Sequence, residues 1–306
     1  MNKSDSERIA AGLKNKGYQA ASKENEADLI VVNMCSVRQS AVDRVFGVAK
    51  KFPKSKIVLT GCILKKDKVK FREMFNEIWE KPQKTSVVSK FIPISSGCNN
   101  ACTYCAVPLT RGRLICRPAK KILAEVKMAV KNKIKEISLL GQNVNDYRFG
   151  KINFARLLRL VNDIPGDFKI RFMSPHPAYF TDELINTMAR CKKVAHYLNL
   201  PVQSGDNEIL KRMNRPYTVS QYKNLIKKIR KKMPNINLST DIIVGFPRET
   251  KKQFENTVKL FKKLKFNMAY ISKYSPRSGT AAFKLKDNVP IKEKKRRWKI
   301  LNSLLS

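Results

Sequence analysis

Six short apolar runs alternate with helical patterns between residues 91 and 273, and that alternation leaves few folds open. The runs are FIPIS (91–95), KEISLL (135–140), KIRFM (169–173), AHYLNL (195–200), NLSTDIIV (237–244) and MAYISK (268–273). Helical periodicity occupies about 119–132, 153–163, 181–190, 206–232 with a break at Pro216, and 250–264. Strands and helices alternating at this spacing form parallel βα units. A full barrel of such units has eight strands. Six predict an α/β fold built on an incomplete (βα)6 barrel, whose open side could admit a large substrate.

Residues 1–85 read as a separate, smaller α/β unit. DLIVVNMC (28–35) and KIVLTGC (56–62) are short Val- and Ile-rich runs, and each ends in a cysteine, Cys35 or Cys62. Both thiols should sit at strand C-terminal ends, the edge where open α/β sheets bind ligands. KPQKTSVVSK (81–90) reads as a linker, residues 86–275 as the barrel, and 276–306 as a tail with a basic helix, IKEKKRRWKILNSLLS. No stretch of about 18 apolar residues occurs to span a membrane. The polar N-terminus lacks the apolar core of a secretory signal. The expectation is a cytoplasmic protein, in a compartment where structural disulfides are rare.

GCNNACTYCAVP places Cys98, Cys102 and Cys105 two residues beyond the first barrel strand, on the functional face of such barrels. Compartment and an odd count disfavour disulfides. Structural zinc takes four ligands, and no fourth Cys or His follows at useful spacing. A [4Fe–4S] cluster held by three thiolates leaves one iron open to a second molecule, which makes the missing fourth ligand a requirement. The charge adds a partner class: 63 basic against 24 acidic residues give +39. Basic residues spread through folded segments suit a polyanion, nucleic acid first, although part of the excess would decorate solvated faces in any Lys-rich protein.

At the CxxxCxxC run the chain resembles the radical S-adenosylmethionine superfamily, with Tyr104 at its usual aromatic position between the last two ligands. The resemblance implies that the open iron chelates S-adenosylmethionine. One electron then cleaves its sulfonium to methionine and a 5′-deoxyadenosyl radical. NMCSVRQSA around Cys35 and TGC at Cys62 resemble the N-terminal domain of methylthiotransferases, which implies a second, auxiliary [4Fe–4S] cluster as sulfur donor. GCNNACTYCAVPLTRGR, ISLLGQNVNDY, LNLPVQSGDNEILKRMNRPYT, STDIIVGFPRET and KYSPRSGTAA resemble the MiaB-type tRNA branch, over nearly the whole chain. That branch implies methylthiolation at C2 of N6-isopentenyladenosine-37 in tRNA. It also implies an electron donor such as a flavodoxin or ferredoxin, and a monomer is expected. Two departures are expected as well. The family's first auxiliary cysteine would lie before Met1, and relatives continue into a small RNA-binding β-domain past Ser306, as in a fragment or truncated gene product. Sibling enzymes acting on threonylcarbamoyl-adenosine tRNA or a ribosomal protein aspartate remain as alternatives, and so does a non-catalytic basic RNA-binding metalloprotein.

Further candidates follow the strands. Tyr104, Gln142, Asn143, Gln203, Asp241 and Gly245 are candidates for the S-adenosylmethionine pocket. Asn145 and Ser204 share those loops, where capping and turn chemistry is the competing reading. Arg111, Arg113 and His176 are candidates for RNA or other anionic groups. His196, inside an apolar run, reads as a core histidine. Cys116 and Cys191 read as spare thiols, since free Cys is commonly a small buried residue. Trp298 could anchor the tail helix to the barrel.

Overall fold

The computed structural model describes residues 2–36, 39–52, 54–79 and 90–305. The predicted linker at 81–90 lies outside them except for Lys90. At the N-terminus α1 (Asn2–Lys14) leads to β1 (Leu29–Cys35), α2 (Gln39–Lys51), β2 (Lys56–Cys62), α3 (Asp67–Arg72) and β3 (Glu77–Trp79). The three strands form a parallel sheet in the order β1-β2-β3. A short segment, EIW, supplies the third strand, which is too brief to show a period in the sequence. Burial of Val58, Leu59 and Phe71 between sheet and helices forms this unit's core.

The barrel strands are β4 (Phe91–Pro93), β5 (Glu136–Leu140), β6 (Lys169–Phe172), β7 (Tyr197–Asn199), β8 (Asn237–Val244) and β9 (Met268–Lys273). Two parallel triplets, β4-β5-β6 and β7-β8-β9, carry them in chain order. A parallel bridge between Ile170 and Val194 joins the triplets into one arc. The expected six-stranded incomplete barrel is therefore present, with β4 and β9 at its ends. Its helices are α4 (Val107–Arg111), α5 (Ala119–Lys131), α6 (Phe154–Asn162), α7 (Asp182–Arg190), α8 (Asn207–Arg212), α9 (Val219–Lys232), α10 (Lys251–Leu264) and α11 (Ile291–Asn302).

Local chemistry explains several boundaries. Capping boxes start α9 (Thr218 with Gln221) and α10 (Thr250 with Gln253), each satisfying backbone donors reciprocally. Pro216 separates α8 from α9 because it removes a helical donor and restricts Arg215 before it. The central strand β5 is buried from Ile137 to Leu140, as expected of a parallel strand covered on both faces. Cys191 joins this core. Cys116 is half-buried, and its sulfur accepts the Arg148 backbone N–H. Both thiols therefore behave as small packing residues.

His196 departs from expectation: it lies outside the strand and is exposed, and its carbonyl accepts from Asn237 N. The apolar run there is shorter than it reads, because β7 begins one residue later. The tail helix also differs from a solvated basic face. Lys294 and Arg297 are each only 3% exposed and paired with Asp287 and Glu249, while Trp298 Nε1 donates to Ile271 O at 3.0 Å.

Candidate active site

The loop after β4 carries the three clustered thiols. Gly97 starts it at φ +79°, and a Cβ there would stand 2.1 Å from Arg113 O. Only glycine lets the chain pass so close beneath residues 112–113. Three backbone bonds hold the loop: Cys98 N to Gly112 O (3.2 Å), Thr103 N to Met213 O (3.1 Å) and Ala282 N to Thr103 O (2.7 Å). The loops after α8 and β9 thus clamp the segment from both sides. Cys98, Cys102 and Cys105 line one cleft of about 620 Å³, with Arg113 at its exposed rim.

All seven cysteines are free thiols. Each sulfur of the trio accepts an N–H. Asn100 gives its backbone and side-chain N–H to Cys98 Sγ, both at 3.4 Å. Val107 N gives to Cys105 Sγ at 3.4 Å, and Arg215 Nη1 reaches Cys102 Sγ at 3.5 Å. Burial pushes the Cys105 thiol up to about 11, so nothing in the protein alone ionises it. N–H donors aimed at three sulfurs in one cleft suit thiolates bound to a metal cluster, whose potential such hydrogen bonds help set. The trio fits a three-thiolate [4Fe–4S] cluster.

A second cavity of about 230 Å³ adjoins Cys105, lined in part by Tyr104, Gln203, Asp241, Lys273 and Arg277. A carboxylate and a guanidinium among the lining residues match the charges of a zwitterionic amino acid group. Gln203 sits at φ +71°, and its backbone brackets β8 through Asp241 O and Ile243 N. Burial raises the Tyr104 phenol well above its ordinary value, and the residue packs among Ile243 and its neighbours. Three of the proposed pocket residues do not line this cavity: Gln142 and Asn143, which lie beyond β5, and Gly245. A Cβ at Gly245 would meet Lys294 Cγ at 2.4 Å, so its close approach serves the tail helix.

Beyond β4, β5 and β6, four buried side-chain atoms have no hydrogen-bond partner: Ser95 Oγ, Gln142 Oε1, Asn143 Oδ1 and His176 Nε2. Asn145 ties these loops together, donating from Nδ2 to His176 O (2.9 Å) and accepting His176 N at Oδ1 (2.7 Å). Its role is structural, as is that of Ser204, whose Oγ accepts Asp206 N. His176 was expected to contact RNA, but its ring is buried against Tyr179 and Tyr217. Burial first, and then the Arg215 charge, hold its pKa down at about 3. Its Nδ1 accepts Ala178 N, which places the proton on Nε2.

Arg111 also differs from expectation. Its Nη2 pairs with Asp5 Oδ2 at 2.8 Å and its Nε donates to Cys62 Sγ at 2.9 Å, so it joins the two units instead of facing a phosphate. Burial raises the Cys62 thiol, opposed by Arg111. Cys35 and Cys62 are register partners at the C-terminal ends of β1 and β2. Adjacent strands there lie about 4.8 Å apart. Arg277 Nη2 donates to Ser36 O, bringing this edge to the cavity beside Cys105.

The radical SAM superfamily matches residues 92–261, and Uncharacterized protein family UPF0004 matches residues 1–80. A tRNA-2-methylthio-N(6)-dimethylallyladenosine synthase of Clostridium novyi (strain NT) is 40% identical over 340 residues, covering 95% of this chain and 75% of that protein. This chain belongs to the radical SAM methylthiotransferase family. The same-named protein of Clostridium tetani (strain Massachusetts / E88) is 38% identical over 351 residues, covering 98% of this methylthiotransferase and 78% of its own length. Among solved structures, coproporphyrinogen III oxidase (HemN) from Escherichia coli shares the fold at TM-score 0.53 and 18% identity, over 70% of this chain and 51% of that one. The cobalamin-dependent radical enzyme OxsB shares it at TM-score 0.56 and 14% identity, over 90% of this chain and 46% of its own.

Residues beyond the sequence reading surround the cysteine loop of this methylthiotransferase. Arg215, Tyr217, Asn100 and Tyr179 form a connected wall: Tyr179 Oη donates to Asn100 Oδ1 at 2.9 Å, and Arg215 Nε to Tyr217 Oη at 2.9 Å. The run NRPYT contains two of them, but nothing in its spacing indicates that Arg215 reaches a cysteine 113 positions earlier.

Proposed function

We propose that this methylthiotransferase adds a methylthio group to C2 of N6-isopentenyladenosine at position 37 of tRNA. The observation that carries the proposal is the convergence of three N–H-bonded thiols, Cys98, Cys102 and Cys105, beside a cavity of zwitterion-matching charge. The relatives' printed names supply the substrate class, and a net charge of +39 suits a folded RNA. When bound, the cluster and S-adenosylmethionine supply a one-electron reduction and a carbon-centred radical, chemistry that side chains lack.

The chain's own groups then have distinct tasks. Cys98, Cys102 and Cys105 hold the cluster, and Asn100, Val107 and Arg215 direct N–H groups at their sulfurs. Asp241 would accept the ammonium of the bound amino acid group, while Arg277 balances its carboxylate. Tyr104 and Gln203 close the cavity walls. Gln142, Asn143 and Ser95 offer unpartnered atoms on the opposite arm of the arc, where a base edge could satisfy them. Arg113 stands at the cleft rim, placed to meet a phosphate.

A second [4Fe–4S] cluster at Cys35 and Cys62 is part of the proposal, supported by their register pairing and by the two arginine links to the barrel face. We further propose domains at 1–85, 86–275 and 276–306, a monomer, and a low-potential flavodoxin- or ferredoxin-type electron donor. Anaerobic reconstitution with iron and sulfide tests the metal assignment: about eight irons per chain mean two clusters, and about four mean one. Reduced, S-adenosylmethionine-supplied protein should then yield 5′-deoxyadenosine, and 2-methylthio-nucleoside should appear in isopentenylated tRNA. Zinc in place of iron, with no 5′-deoxyadenosine, would refute the proposal.

A further inference from the structure

Arg215 is 8% exposed, yet its charge has no carboxylate to neutralise it among the described residues. Its donors go to a phenol oxygen, a backbone carbonyl and a cysteine sulfur. Nε gives to Tyr217 Oη at 2.9 Å, Nη2 to Pro201 O at 3.1 Å, and Nη1 to Cys102 Sγ at 3.5 Å. The guanidinium also lies over the Tyr217 ring, 5.1 Å from its centroid. Two other buried cations differ, while a third, Arg277, donates to Ser36 O. Arg297 pairs with Glu249 at 2.6 Å, and Lys294 with both oxygens of Asp287. A buried charge without a counter-charge is strongly unfavourable. Arg297 and Lys294 are thus neutralised by carboxylates, whereas Arg215 touches a cluster thiol.

We infer that Arg215 is a positioning residue whose counter-charge is the thiolate-ligated cluster, and that it sets how readily that cluster accepts an electron. The inference rests on the assignment of Cys98, Cys102 and Cys105 as cluster ligands. Reduction takes [4Fe–4S]2+ to [4Fe–4S]+ by one electron from a low-potential donor, with no proton transferred and no bond made or broken. The added negative charge is stabilised by a fixed cation at the Cys102 sulfur, through a hydrogen bond and through Coulomb attraction in a water-poor site. Tyr217 and Pro201 hold the fork in place, so the charge cannot swing to solvent. His176, which stays neutral beside Tyr217, adds no second cation to this wall.

The test is an EPR-monitored redox titration of the reconstituted full chain, with dithionite as reductant, in a Cys35→Ala/Cys62→Ala background so that only the barrel cluster is read. Arg215→Gln should retain the cluster and lower its midpoint by at least a tenfold change in the oxidised-to-reduced ratio, which is 59 mV for one electron. Arg215→Lys, which keeps the charge, should recover more than half of that shift. If Arg215→Gln fails to hold iron, Arg215→Lys should still hold about four. A loaded Arg215→Gln protein titrating with its parent would overturn the inference, and so would Gln and Lys variants shifted or emptied alike. A parent protein that binds no iron would instead refute the cluster assignment.

Discussion

Replacing Arg297 by Met would expose how the basic tail helix is held to the barrel. Arg297 and Glu249 are 3% and 1% exposed, with Nη1 and Oε2 2.6 Å apart, and Arg297 Nε also reaches Glu293 Oε1 at 2.8 Å. Met retains most of the side-chain volume but leaves a carboxylate buried, retaining the Gly245 N–H at 2.6 Å. Removing one partner of a buried pair typically costs about 3–5 kcal/mol. Glu249 has an escape, because it can take up a proton. Raising a carboxylate from its ordinary value, 4.5, to neutrality at pH 7 costs about 1.36 kcal/mol per unit, or about 3.4 kcal/mol. The loss should therefore lie near 3 kcal/mol. For a domain of this size it would lower the melting midpoint by about 6–12 °C.

The pH dependence separates this account from simple packing loss. Burial already raises Glu249 above its ordinary value, with Gly245 and Arg297 opposing. Without Arg297 it rises further, so the folded variant binds more protons than the unfolded chain above pH 4.5. Its stability relative to the parent must then fall as pH rises through that window and recover on acidification. At pH 5 the protonation cost shrinks to about 0.7 kcal/mol. Thermal melts by circular dichroism at pH 7 and pH 5 provide the assay, with Arg297→Met/Glu249→Gln as the compensated double variant. A loss below about 1 kcal/mol at pH 7, less than the smallest expected cost of an orphaned buried charge, would refute the reasoning. A deficit identical at both pH values would refute it too.

Three further outcomes follow from the site. Gly97→Ala places a methyl 2.1 Å from Arg113 O; most of the barrel iron should fail to bind on reconstitution, and full iron content would contradict the proposed role of that close approach. Ser substituted at any one of Cys98, Cys102 and Cys105 should abolish 5′-deoxyadenosine formation, whereas Cys191→Ala, a core packing change, should cost about 1 kcal/mol or less per lost buried group and leave turnover intact. His176 has its pKa depressed to about 3 by burial and Arg215. It therefore contributes stability that is complete above the ordinary histidine value and lost as pH falls from there toward 3. Between pH 7 and pH 5 the parent should lose about 2 kcal/mol from this group, and His176→Gln should flatten that part of the profile.

Strand and helix alternation was legible because each element carries its own short-range period. All six barrel strands lie within a residue or two of their apolar runs, and Pro216 marks the break between α8 and α9 by its own covalent structure. The exceptions have local causes as well. β3 is three residues long, below any readable period, and the apolar run around His196 includes residues that precede the strand. CxxxCxxC was equally legible, since a loop of eight residues can bring three thiols together without help from elsewhere in the chain.

The partners of charged side chains were not legible in this way. Arg111 and Arg113 are equivalent in sequence, yet one is bound to Asp5 and Cys62 while the other stays at the cleft rim. Gly245 follows a strand as a pocket glycine would, but it receives Lys294 from a helix that starts 46 positions later. The sequence by itself determined the barrel and the cluster loop, because periodicity and short spacing are properties of neighbouring residues. Tertiary structure alone decided that Arg215 meets Cys102, that His176 is buried neutral, and that Cys35 and Cys62 are side by side. Those pairings join residues tens to more than a hundred positions apart, and burial and charge compensation select them only once the chain has folded.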